Sequence, residues 1–133
     1  MTGKRMLWLA VVIGAAAPAG AAGGGYRDAL LSRDYHRCIK EDPSNAGLGQ
    51  CLELESERQE GRLNQAYRMV MARLPAARKQ ALLTSERAWV KARTRECDAV
   101  YREMEGGTGA GPAQLMCESV RAAERTAWLE RYR

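Results

Sequence analysis

Four cysteines are the residues of this chain whose type and spacing most clearly indicate chemistry. They are Cys38, Cys51, Cys97 and Cys117. An even number in a small exported domain predicts two disulfides, and three pairings are possible. We favour Cys38–Cys51 and Cys97–Cys117, because each bond closes a local loop that contains turn residues. The alternative is a zinc site assisted by His36, but no Cys-x-x-Cys pair is present, and zinc ligands are usually spaced more tightly. The sequence therefore predicts disulfides and no metal site.

The chain offers no recognisable catalytic set. His36 is the only histidine, and neither a Ser-His-Asp nor a Cys-His arrangement is evident. Carboxylates are abundant, but a glycosidase that uses two of them needs a deep cleft, which so small a helical domain seldom builds. The glycine-rich segment 106–112 superficially resembles a phosphate-binding loop, yet no strand precedes it and no Lys-Ser/Thr follows. We therefore predict a protein that is not an enzyme, with no catalytic residues and no cofactor.

A row of basic residues is the main candidate for binding a partner. Arg87, Lys91 and Arg95 are spaced by four residues, so they share one face of a helix. Like charges at this spacing slightly destabilise a helix, which makes an acidic partner a reasonable hypothesis. The plainer interpretation is a solvated helix face, and the sequence alone leaves both interpretations open.

Two charged residues share a helix face with apolar ones. Glu86 and Arg93 lie on the stripe that also carries Leu83, Val90 and Cys97. They are about 10.5 Å apart along the helix axis, so each needs a partner from another helix. The candidate partners are Asn64, Glu124 and Arg125. One interpretation is a polar pocket inside the bundle; the favoured one is a network that fixes how the helices pack.

Proline and glycine divide the chain into the elements that must position these residues. We predict helices over about 46–73, about 76–104, and from Pro112 to the C-terminus. Short connections predict a small, all-α, antiparallel three-helix bundle, stapled by the disulfides at one end and closed by Pro75 at the other. The segment before it is predicted to be irregular or a short helix. The residues expected in the core are Tyr67, Leu83, Trp89 and Val90.

The N-terminus has the order of a secretory signal peptide. Lys4 and Arg5 precede an apolar run over residues 6–17, and a small-residue cleavage signal follows at residues 19–21. A retained N-terminal anchor is the less favoured alternative, because the apolar run is short for a bilayer. We expect a periplasmic or secreted protein that has no membrane anchor after cleavage.

The composition is that of one small helical domain. The chain has no Phe, few β-branched residues and much Ala, Leu, Arg and Glu. Its net charge of +5 falls to +3 once Lys4 and Arg5 are removed with the signal peptide. Nucleic acid is not an expected partner, because an exported chain with so mild a charge has no clustered basic domain.

Several separated motifs together resemble one family. They are LNQAY at residues 63–67, SERAWV at 85–90, Arg93, Cys97, the Gly pair at 106–107, Cys117, RT at 125–126 and Leu129. This set is similar to the LprI-like lysozyme-inhibitor domain family and covers about residues 38–130. Two departures stand out: no lipid-accepting Cys follows the cleavage signal, and Ala122 occupies a position where a Thr is often expected.

The resemblance implies a secreted or periplasmic, cysteine-containing helical domain that inhibits lysozyme. It also implies structural roles for the motif residues Asn64, Tyr67, Glu86, Trp89, Arg93 and Arg125. On this basis the chain divides into a signal peptide (1–21), an N-terminal segment with Cys38 (22–45) and the helical domain (46–133). The expected partner is lysozyme; an adaptor module for another acidic partner is the alternative, and an enzyme ranks last.

Overall fold

Four helices make up the part of the chain that the computed structural model describes, which is residues 28–133. They are α1 (Arg33–Glu41), α2 (Asn45–Arg73), α3 (Ala76–Glu103) and α4 (Ala110–Glu130), and this part contains no strand. The all-α prediction is confirmed. The three-helix bundle is not, because a fourth helix, α1, forms in the segment before it. The predicted signal peptide, 1–21, lies outside the described residues.

The helix ends follow from local chemistry. Ser32 and Ser44 cap α1 and α2: each side-chain oxygen accepts a hydrogen bond from the backbone N–H three residues ahead, at 3.1 and 3.0 Å. Pro75 separates α2 from α3, because it cannot donate the hydrogen bond that a continuing helix needs. After α3 the backbone enters the left-handed region at Glu105 and Gly106 (φ 52° and 69°), which ends the helix.

Helix α4 is the element on which the others are organised. It packs extensively against both α2 and α3, while α1 packs on α2. Arg73 at the end of α2 donates a hydrogen bond to the backbone of Tyr132, beyond the end of α4. Early α3 and the C-terminus also meet, through Arg78 and Arg133. Helix α4 therefore runs parallel to α2 and antiparallel to α3, and α2 and α3 make little direct contact with each other.

The core has two clusters, one at each end of the α2–α4 pair. The larger one consists of Leu63, Ala66, Val70, Leu74, Leu82, Ala122 and Leu129. The smaller one consists of Leu31, Tyr35, Cys51, Leu52 and Val120, and it joins α1 to α2 and α4. Both clusters depend on the apolar face of α4, which explains its central place.

The predicted core residues are wrong in part. Val90 is 44% exposed, and Tyr67, Leu83 and Trp89 are only half-buried. Of these, Tyr67 and Trp89 pack at the edge of the larger cluster. The fully buried residues of α3 are Leu82 and Cys97. Leu82 lies one residue, or about 100°, away from the predicted stripe. The difference arises because α3 packs mainly against one helix, so its other apolar residues are left at the surface.

Both disulfides link neighbouring helices. Cys38–Cys51 joins α1 to α2 and Cys97–Cys117 joins α3 to α4, with Cα atoms 5.8 and 5.6 Å apart. These distances are within the usual range for a disulfide. The prediction of two disulfides is confirmed, and the structure forms the two pairs that we favoured. Each bond is expected to contribute about 3 kcal/mol by restricting the unfolded chain.

The glycines of α2 provide a test of local packing. A Cβ atom at Gly47 would lie 2.5 Å from the backbone oxygen of Asp42, whereas one at Gly61 would meet nothing within 4 Å. We expect Gly47→Ala to lower the free energy of unfolding by about 1–3 kcal/mol, because the turn before α2 must move. Gly61→Ala should raise it by about 0.5–1 kcal/mol through reduced backbone entropy. Urea denaturation measures both, and equal effects of the two changes would contradict the predicted contact.

Candidate functional site

A groove with charged and apolar walls lies between α2 and α3. Its volume is about 490 Å³. Helix α2 contributes Glu60, Leu63, Asn64 and Tyr67, and α3 contributes seven residues in the stretch 83–93. The groove exists because α4 packs against α2 and α3 from one side and leaves the opposite side uncovered.

The groove brings together residues that the sequence analysis singled out separately. Five of the six motif residues with expected structural roles line it: Asn64, Tyr67, Glu86, Trp89 and Arg93. Asn64 is exposed, and the other four are half-buried. The sixth, Arg125, extends from α4 and bonds to Glu86. The side chains that were expected to have structural roles therefore also form the walls of the groove.

Two ion pairs neutralise the carboxylates of the groove. Arg125 donates to Glu86 through Nε at 2.9 Å and to the Ser85 hydroxyl at 3.0 Å. Arg93 donates to Glu60, which the sequence analysis did not single out. Of the three candidate partners, Arg125 is therefore the one that pairs with Glu86. Glu124 pairs with Arg121 instead, and Asn64 has no hydrogen bond within residues 28–133.

The sequence analysis proposed either an enclosed polar pocket or a packing network around Glu86 and Arg93. The structure contains elements of both. The ion pairs link α3 to α2 and α4, as a packing network would. Three of their four side chains, those of Glu60, Glu86 and Arg93, also line the open groove.

An arginine–tryptophan stack holds the groove wall in place. Two guanidinium groups lie over the Trp89 ring, with Arg93 at 4.9 Å and Arg125 at 5.6 Å from its centroid. Arg125 also lies over Trp128, at 3.8 Å. The Trp128 ring contacts Tyr132, with centroids 4.9 Å apart. Each cation–π contact contributes about 0.5–1 kcal/mol or more when it is desolvated, so the two arginines together restrain the orientation of Trp89.

The predicted cationic row lies at the rim of this groove. Arg87, Lys91 and Arg95 are all exposed, and none of them forms an ion pair with another described residue. Arg87 and Lys91 line the groove itself. Arg95 lines a shallower depression beside it, which it shares with Lys91. The rim thus presents positive charge with no carboxylate of its own to neutralise it.

A second polar cluster, centred on Glu55, was missed by the sequence analysis. Glu55 of α2 is completely buried. It accepts hydrogen bonds from the Ser32 backbone N–H at 2.7 Å, from the Ser32 hydroxyl and from Gln59 at 2.6 Å, and Arg58 lies 3.3 Å away. Burial alone would raise the pKa of Glu55, but these bonds outweigh it and lower the pKa below its ordinary value. The cluster ties the start of α1 to the middle of α2.

A sequence signal for Glu55 was available. Along α2, positions three and four residues apart form one stripe: Leu48, Leu52, Glu55, Gln59, Leu63, Ala66 and Val70. All of these are buried except the half-buried Leu48. Two polar residues inside an apolar stripe predict a buried network. What the stripe does not identify is their partner, because Ser32 belongs to another helix.

The residues considered for catalysis or metal binding are engaged elsewhere. All four cysteines form disulfides, and a His36 ring nitrogen lies 3.0 Å from the Asp28 carbonyl oxygen. Across residues 28–133, no group of three or more His, Cys, Asp or Glu side chains is arranged to hold a metal ion. Among the helices of this same region, none is long and apolar enough to cross a membrane.

A smaller cavity of about 300 Å³ lies where the first turns of α2 and α4 meet. Thr108, Gly109 and Pro112 of the glycine-rich segment line one side of it, and Leu48 and Leu52 line the other. No charged side chain lines this cavity, so the groove between α2 and α3 is the stronger candidate for recognising a charged partner.

Comparison with known proteins identifies a family. A family model described as "Lysozyme inhibitor LprI" matches residues 38–129. That span contains both disulfides and every residue of the groove. No curated protein matches the chain, and no solved structure matches it either.

Proposed function

The chain belongs to the LprI lysozyme inhibitor family, and from this premise we propose that it inhibits a lysozyme or a related peptidoglycan-cleaving enzyme. The observation that carries the proposal is the family match over residues 38–129. The exposed, unpaired basic residues at the groove rim support it further, because they suit an acidic target.

The mechanism we propose is steric and electrostatic. A lysozyme cleaves its substrate with a pair of carboxyl groups in an open cleft. A small rigid domain that covers this cleft and places a guanidinium or ammonium group near the carboxylates would exclude the substrate. The candidate contacts are Arg87, Lys91 and Arg95, all exposed on α3. In this proposal the chain is not an enzyme and needs no cofactor.

The proposal includes export. We propose that residues 1–21 are a signal peptide, that residues 22–45 form an N-terminal segment and that residues 46–133 form the inhibitory domain. Two disulfides are typical of proteins in oxidising compartments outside the cytoplasm. The periplasm or the extracellular space is also where a peptidoglycan-cleaving enzyme acts, so inhibitor and target would meet there.

We expect the purified protein to reduce the activity of at least one lysozyme and to release no peptidoglycan fragments itself. The measurement is a titration of the protein into a panel of lysozymes, in which the activity of each lysozyme is monitored by the clearing of a cell-wall suspension. Charge reversal of Arg87, Lys91 and Arg95 together should raise the inhibition constant about tenfold or more, because a close interfacial charge pair contributes more than about 1.5 kcal/mol. Far-ultraviolet circular dichroism should stay unchanged, and high salt should weaken inhibition.

Failure to inhibit any lysozyme of the panel at high protein concentration would contradict this proposal. The second candidate function, an adaptor for another acidic periplasmic protein, would then be favoured by the same unpaired rim charges. Affinity capture from a periplasmic extract, compared between the wild type and the triple charge-reversal variant, separates the two functions. An adaptor partner should be retained by the wild type and lost from the variant.

A further inference from the structure

We propose that the groove between α2 and α3 is the surface that binds the target enzyme. Its occupant would be a protein segment that presents a carboxylate beside an apolar side chain. The inference rests on the proposed function and makes it more specific, because it selects one concave surface out of all the exposed basic residues of the chain.

The fold leaves apolar surface uncovered in the groove. Val90 is 44% exposed, and Tyr67, Leu83 and Trp89 beside it are half-buried. A volume of about 490 Å³ is within the usual range for a binding pocket. Contiguous apolar surface rimmed by polar residues is typical of interaction sites. An apolar side chain from a partner would bury this surface.

The groove also has more basic side chains than its carboxylates neutralise. The two carboxylates that line the groove, Glu60 and Glu86, are already paired with Arg93 and Arg125. Arg87 and Lys91 line the same groove and have no ion-pair partner among the described residues. The groove therefore has unmatched positive charge. A carboxylate is the complementary group, and an arginine can bind it through two parallel hydrogen bonds.

The groove is held in one shape before binding. Trp89 contacts both Arg93 and Arg125, and both arginines are held by their own carboxylates. The walls are helices, so little backbone freedom is lost when a partner binds. Such preorganisation is what a tight inhibitor requires.

A protein segment fits these observations better than a polyanionic glycan or a lipid surface. A polyanionic glycan or a membrane surface would be held by charge along the whole cationic row, including Arg95. Arg95 lies outside the groove, in the shallower depression. The combination of Tyr67, Trp89 and Val90 with only two unpaired cations points to a mixed apolar and acidic peptide.

The test compares inhibition constants of matched variants against a lysozyme that the wild type inhibits. Arg87→Glu with Lys91→Glu, and separately Val90→Asp, should each raise the inhibition constant about tenfold or more. The control is Arg62→Glu with Arg68→Glu, which makes the same charge change on exposed residues of α2 outside the groove. It should change the constant by less than about threefold. Circular dichroism and thermal unfolding confirm that each variant is folded.

Equal weakening by the groove pair and the control pair would overturn the inference, since net charge alone would then explain binding. Unchanged inhibition by the groove pair and by Val90→Asp would overturn it as well, while leaving the proposed function intact. If the wild type inhibits no lysozyme, the proposed function fails. Binding to the groove is then tested directly with a peptide.

The peptide is acetyl-Asp-Leu-Trp-Glu-amide, titrated into the isotope-labelled protein and followed by nuclear magnetic resonance. Shift changes confined to groove residues such as Tyr67, Trp89 and Val90 would support the inference. The matched peptide with Lys in place of both acids should cause much smaller changes. No shift changes at millimolar peptide, changes elsewhere, or equal changes with the lysine peptide would overturn it.

Discussion

Replacing Arg125 with alanine should lower the free energy of unfolding by about 3–5 kcal/mol, because it leaves a mostly buried carboxylate without its partner. The side chains of Arg125 and Glu86 are only 10% and 15% exposed. The change also removes the cation that lies over Trp128 at 3.8 Å and over Trp89 at 5.6 Å. Urea denaturation of the variant at neutral pH measures the loss.

A double-mutant cycle of Arg125→Ala with Glu86→Gln tests whether the loss of stability comes from the ion pair between these residues. The coupling between the two positions should be at least about 1 kcal/mol, because the residues are in direct contact. Arg102→Ala is the control, since Arg102 is exposed on α3 and has no ion pair within the described residues; its effect should stay within about 0.5 kcal/mol. Arg125→Lys keeps the charge but loses the planar stack, so it should recover only part of the stability. Additive effects of the two changes would contradict the proposed ion pair.

Glu55→Gln should cost about 2–4 kcal/mol at pH 7, because an amide cannot accept all the hydrogen bonds that the carboxylate accepts. Ser32 donates two of these bonds, from its backbone and its hydroxyl, and Gln59 donates another. The residue is completely buried, so no water can replace a lost partner. The matched control is Glu57→Gln, on the exposed side of the same helix, which should change stability by less than about 0.5 kcal/mol.

The effect of Glu55→Gln should depend on pH in a defined direction. The pKa of Glu55 is lower in the folded chain than its ordinary value of 4.5. Its stabilising contribution is therefore complete above about pH 4.5 and is lost as the pH falls through the folded pKa. The difference between wild type and variant should be largest near pH 7 and smaller at about pH 3. A difference that is the same at both pH values would contradict the assignment of the carboxylate.

The choice of residue decides whether the groove can be tested without unfolding the protein. Arg93 and Arg125 belong to the groove but also carry the packing of α3, so their replacement changes stability and binding together. Arg87 and Lys91 are exposed and unpaired within the described residues. Substitutions at these two positions report mainly on recognition, because neither side chain forms an ion pair or a hydrogen bond with another described residue.

Much of the local structure followed from the sequence alone. The starts of α2 and α3 are determined by Ser44 and Pro75, and the end of α3 by the glycine-rich segment that begins at Gly106. The two disulfides form between cysteines only 13 and 20 residues apart. These features depend on capping, on backbone conformations allowed to particular residue types and on short loops, all of which act within a few turns of chain.

The packing of α3 was decided by tertiary structure. Its apolar residues support two stripes about 100° apart, one through Leu82 and one through Leu83 and Val90. A helix that packs against neighbours on several sides would bury both stripes. Since α3 packs mainly on α4, Leu82 is buried; on the second stripe Cys97 is buried at its disulfide to α4, whereas Val90 remains 44% exposed in the groove.

The partners of the charged residues were also decided by tertiary structure. Arg93 bonds to Glu60, Arg125 to Glu86 and Ser32 to Glu55, across separations of 33, 39 and 23 residues. The sequence by itself determined the helices, the disulfides and the presence of polar residues on apolar stripes. It did not determine which groups meet, or that α2 and α3 stay apart and leave a groove, because both depend on how the helices pack around α4.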